Sequence, residues 1–116
     1  LYAEAVMDLR PWNYWKPGGR EPNPQSVPIV PTLERVLARN ANHPGAIHLY
    51  IHAVEASDRP KRAEPYADRL RGATPGAGHL VHMPSHIYYR VKNTWPTAMR
   101  RWARIGSTII RITCTL

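Results

Sequence analysis

Phenylalanine is absent from this 116-residue chain, and cysteine occurs once, as Cys114. A single thiol excludes any internal disulfide and any cysteine-rich metal cage, and it leaves the redox compartment open. No apolar run reaches the roughly 18 residues that a membrane span requires, and the opening LYAEAVMDL lacks a signal-peptide layout. The reading is therefore of a protein without a membrane span, soluble in the cytoplasm or periplasm. Acidic residues are also scarce, and none follows Asp68. Positions 92–116 carry Lys92, Arg100, Arg101, Arg104 and Arg111 unopposed, which is five of the eight excess positive charges. Nucleic-acid binding through Arg100, Arg101, Trp102 and Arg104 thus rests on one end of the chain, and it ranks last among the functional readings.

Proline is abundant, with 12 residues, and so is histidine, with 6. The histidines are not scattered. His48 and His52 lie in HLYIH, and His82 and His86 lie in HMPSH. Each pair has i, i+4 spacing, which puts both imidazoles on one face of a helix. The pairs stand 34 residues apart, the length of a helix–turn–helix repeat unit. The same offset relates Pro31 to Pro65, Glu34 to Asp68, Arg35 to Arg69 and Val36 to Leu70.

Periodicity predicts an all-α chain. A helix over 1–9 buries Leu1, Ala5, Val6 and Leu9. The proline- and glycine-rich stretch 10–25 is a loop insertion whose Trp12, Tyr14 and Trp15 pack back as anchors. A helix from an N-cap at Ser26 to about Arg39 buries Val30, Leu33, Val36 and Leu37. The next runs from Pro44 to about Ala56. A third covers 60–72, with Ala63, Tyr66, Ala67 and Leu70 inward. A fourth spans 78–91 and contains Pro84, which removes a backbone hydrogen bond and predicts a kink that aims His82 and His86. Of Tyr88 and Tyr89, one is expected buried and one exposed. After Val91 the helical pattern fails, and STIIRITCTL is β-branched.

These residues carry a family resemblance. LERVLARNANHP looks like the end of a B helix and its linker, and GAIHLYIHAVEASDRPKRA looks like an A helix, its turn and the start of a B helix, of a tetratricopeptide repeat. Ala63 stands at that family's small-residue position and Pro75 at its closing proline. The departures are Ile47 and Val81 at usually aromatic positions, Ile51 and Ser85 at the small position, and Pro84 for a core leucine. HPGAIHLYIHAVEAS and PGAGHLVHMPSHIYYRV resemble a bacterial group of histidine-rich tetratricopeptide proteins, over about residues 1–91. The resemblance implies antiparallel helix pairs stacked as a right-handed solenoid. It also implies about three units, marginal alone, as a fragment of a longer array with neighbouring repeats as partners. The basic tail 92–116 is then atypical, either disordered or not the native continuation, as after a slipped reading frame. Translation of the coding DNA in the other frames tests the latter.

In such solenoids the A helices line a concave groove. The resemblance places His48, His52 and Glu55 on one groove stripe and His79, His82, His86 and Tyr89 on the next. The leading functional expectation is a scaffold that binds a protein or peptide segment in this histidine-lined groove. The alternative is a metal site. Neutral imidazoles suit zinc or copper, and His48, His52, His82 and His86 could close a four-ligand site across adjacent helices, with Glu55 as an extra ligand or a partner fixing an imidazole. The plain counter-reading makes the histidines polar groove liners and Glu55 a solvated carboxylate. Leu49 stands where a zinc-protease helix needs its glutamate base, so that motif fails. Catalysis at an open three-ligand site is a lesser expectation, and binding is favoured over an enzyme.

Overall fold

The computed structural model describes residues 1–73 and 76–91. The expectations for 92–116, and for Pro75 as the closing proline, lie outside the described residues. The helices are α1 (Tyr2–Asp8), α2 (Ile29–Arg39), α3 (Pro44–Val54), α4 (Glu64–Ala73), α5 (Gly78–His82) and α6 (Pro84–Arg90), with 3-10 turns at Pro24–Ser26 and Pro60–Ala63. Among the described residues the fold is all-helical, apart from one isolated bridge between Trp15 and Pro22. No helix there is long and apolar enough to cross a membrane.

Prolines set most of the boundaries. A single helix over 60–72 is not what forms: Pro65 has no N–H to give to the turn before it, so a 3-10 turn comes first and α4 follows. Pro28 acts in the same way, and α2 begins at Ile29 rather than at a Ser26 cap. Ser26 is instead buried in the preceding 3-10 turn. Pro44 occupies the first turn of α3, where a missing N–H costs nothing, and His43 Nδ1 accepts the Ala46 N–H at 3.1 Å as the N-cap.

At Pro84 the expected helix over 78–91 divides at Met83, whose backbone stays α-helical (φ −53°, ψ −40°), and a 3-10 turn absorbs the proline. The His86 N–H turns to Met83 O at 3.1 Å, so His82 O loses the partner that a continuous helix would supply. Ser85 Oγ donates to that carbonyl at 2.6 Å. Proline makes the break and the adjacent serine satisfies the freed group, leaving α5 and α6 as separate short carriers of histidine.

α3 is the centre of the core. Ile47, Tyr50, Ile51 and Val54 are buried along it, against Ile29, Leu33 and Leu37 of α2 and against Ala67, Leu70, Met83 and Ile87 beyond. Each fully buried aliphatic side chain of this kind contributes roughly 1.5–3 kcal/mol. α2 packs against both α1 and α3, and α4 packs against α3, α5 and α6. Two expected stripes are corrected. α1 buries Ala3 and Met7, while Leu1, Ala5 and Leu9 are exposed. α2 buries Ile29 and exposes Val36. Both helices carry apolar residues on adjacent faces, and the i, i+4 series 3–7 and 29–33–37 wins because it faces the neighbouring helix. Tyr88 is buried and Tyr89 exposed.

The loop 10–25 is tied to the helices. Trp15 Nε1 donates to Ala53 O at 2.7 Å, and Tyr14 is buried. Gly19 O accepts the Asp58 N–H at 2.9 Å. Gly19 has φ 69°, and a Cβ there would stand 2.7 Å from Ala56 O, so only glycine fits this contact. Trp12 is not an anchor. It is 68% exposed, and it takes φ 68°, a conformation that bulky residues rarely adopt.

Candidate metal centre

Three helices each bring histidine to one place. α3 presents His48 and His52 from successive turns, α5 presents His79 and His82 at i, i+3, and α6 adds His86. Their rings form a closed circuit. Centroids are 4.9 Å apart for His48 and His52, 4.8 Å for His48 and His79, and 4.7 Å for His79 and His82. The circuit closes through His82 and His86 at 5.4 Å and His52 and His86 at 5.6 Å. Trp12 stands edge-on to His52 at 5.0 Å, at the rim of the cluster. Nothing in its loop position signalled that placement, because it depends on the left-handed turn at Trp12 itself. His43 lies apart, as the α3 cap.

Within the circuit, His48, His52 and His79 each offer a ring nitrogen, and the three atoms lie within 4.8 Å of one another. His48 Nε2 and His79 Nε2 are 2.9 Å apart. Two nitrogens each about 2.0–2.1 Å from a tetrahedral zinc ion stand about 3.3–3.4 Å apart. The His48–His79 separation is close to that value, and the third nitrogen lies within 4.8 Å, so rotation of side chains is what a common ion would require. His82 touches His79 and His86 by ring contact, and His86 is turned toward Glu55. Tyr89 lies on the exposed side of α6, at 55% exposure.

Glu55, the C-cap of α3, organises the other side of the cluster. His86 Nδ1 is 2.8 Å from Oε2, and His52 Nδ1 is 3.4 Å from Oε1. The side chains of His52 and Glu55 are only 11% and 16% exposed. Burial alone would raise the Glu55 carboxyl, but hydrogen bonds to His52 and His86 outweigh it and hold the group down at about 2. An Nδ1–H given to this carboxylate leaves the His52 lone pair on Nε2. A carboxylate behind an imidazole is the arrangement that orients metal-ligating histidines.

Two of the imidazoles are also made less basic. Burial pushes His48 down to about 4, assisted by repulsion from His52, His79, His82 and His86. Burial and the charges of His86 and His79 lower His82 as well. At neutral pH His48 and His82 are uncharged, which is the form that binds metal.

Comparison with protein-family models, curated proteins and solved structures finds no match to this chain.

Proposed function

We propose that this chain is a transition-metal-binding helical-repeat protein, with His48, His52 and His79 as nitrogen ligands and Glu55 orienting His52. The observation that carries the reading is the convergence of three ring nitrogens, from two helices, within 4.8 Å. Zinc and copper(II) are the ions that imidazole donors favour. Binding is preferred to catalysis because Glu55, the carboxylate at the cluster, is already committed to two imidazoles and is not a free general base. Metal analysis of protein equilibrated with limiting zinc and then dialysed tests it. About one zinc per chain is expected, and a metal content no higher than in the His48→Ala/His79→Ala variant would refute it.

The repeat reading, a tetratricopeptide-like stack of helix pairs, is supported by an equivalence beyond the histidines. Glu34 on α2 accepts a hydrogen bond from Tyr50 of the following helix at 2.9 Å. Asp68, 34 residues on, accepts one from Tyr88 of α6. The Tyr88 position lies one helical turn beyond the strict 34-residue offset, on the far side of the Pro84 break.

A protein or peptide partner seated over the same face is a second reading. Trp12 favours it, as a large aromatic side chain left exposed at the rim of the cluster.

A further inference from the structure

Away from the histidines, the loop 10–25 and the turn into α4 enclose a solvent-open cleft of about 670 Å³. It is lined by Trp15, Arg20, Pro22, Asp58, Arg59 and Arg62. Three arginines and one aspartate line it, and among the described residues neither Arg20 nor Arg59 has an acidic partner in ion-pairing range.

The cleft is built rather than incidental. Trp15 forms one wall, fixed by its hydrogen bond to Ala53 O and by the bridge to Pro22. Gly19, locked against the backbone of 56–58, holds the loop against the turn that carries Asp58 and Arg59. The Arg62 guanidinium is held 5.7 Å from the Trp15 ring centre and 3.9 Å from Glu34. That placement leaves Arg62 Nε buried without an acceptor.

We propose that this cleft binds a small phosphorylated polyol. Arg20 and Arg59 take the phosphate, since guanidinium forks match phosphate oxygens in pairs of hydrogen bonds. Arg62 adds positive charge from a fixed position. Asp58 would repel a bare phosphate, but it can accept hydrogen bonds from hydroxyl groups, and Trp15 offers an apolar wall for the carbon skeleton. The volume lies within the range of small-ligand pockets.

The test is calorimetric titration of the full chain with ribose 5-phosphate, inorganic phosphate and ribose, in a chelator-containing buffer of fixed ionic strength. Saturable one-to-one binding of ribose 5-phosphate is expected, tighter than inorganic phosphate, with ribose alone undetectable. Arg20→Ala and Arg59→Ala, both at exposed positions, should each weaken it at least about tenfold, with circular dichroism unchanged. Asp58→Asn should weaken ribose 5-phosphate but strengthen inorganic phosphate, because it removes both a repulsion and a strong acceptor. Absence of saturable binding, equal affinity for inorganic phosphate, or indifference to Arg20→Ala and Arg59→Ala would each overturn the proposal.

Discussion

His48 Nε2 and His79 Nε2 stand 2.9 Å apart across 31 positions of sequence, on α3 and α5. At that separation the two nitrogens can share one proton or one cation but cannot both carry a proton, so the contact itself opposes acidification.

The folded chain should therefore lose stability in mild acid. His48 titrates at about 4 in the fold against 6.5 unfolded. Between those values the unfolded chain binds more protons, so stability rises with pH through this window and the penalty is complete below about 4. His82 is displaced in the same direction. Glu55, held at about 2 against 4.5, acts with them: its stabilisation is full above 4.5 and is lost as pH falls toward 2. Urea unfolding midpoints at pH 7.5, 5.5 and 4.5 should fall in that order, and in the His48→Ala variant the fall should be smaller.

Glu55→Gln should separate metal affinity from folding. The amide oxygen can still accept from one of the two imidazoles, but its NH2 faces the other as a donor, and the charge that orients and polarises both is gone. Zinc affinity should drop about 10–100-fold, while the helical circular dichroism signal stays the same. An unchanged affinity would remove Glu55 from the site.

Gly19→Ala should destabilise the whole described fold by about 1–3 kcal/mol. A methyl at this position meets Ala56 O, Ser57 C and Asp58 N, all backbone atoms that cannot step aside. Thermal unfolding measures it, and the neighbouring Gly18→Ala serves as comparison: its φ of 92° is strained as well, but nothing lies within 4 Å, so the loss there should be smaller.

Tyr50→Phe and Tyr88→Phe should each cost about 1 kcal/mol, the usual value of a hydrogen bond that is partly open to water. Both hydroxyls donate to carboxylates 34 residues apart, Glu34 and Asp68. Equal signs and similar sizes in chemical denaturation are the energetic signature expected of a repeat, and a neutral result at one site would break the equivalence.

Much of this arrangement was legible in the residues. Helical spacing gave the helices and the core role of Ala63, Ala67 and Leu70, and the i, i+4 histidines gave one face of α3. The ends of the helices were harder to read. Pro28 delays the start of α2, and Pro65 and Pro84 each divide an expected helix in two, because a missing N–H is tolerated only in a first turn. Spacing pairs His82 with His86, and their rings do meet at 5.4 Å, but it is His79, in the first turn of α5, that stands beside His48. Trp12 was beyond reach of pattern, since its place at the rim depends on a left-handed backbone conformation that no periodicity encodes.

The choice between His79 and His82 offers the most direct test of the metal centre. Zinc competition titrations on wild type, His79→Ala and His82→Ala distinguish them. The geometry predicts one tight site in wild type, lost in His79→Ala and retained within about tenfold in His82→Ala, by analogy with loss of an outer-shell contact. Retention of the site in His79→Ala, or no stoichiometric zinc in wild type, would contradict it.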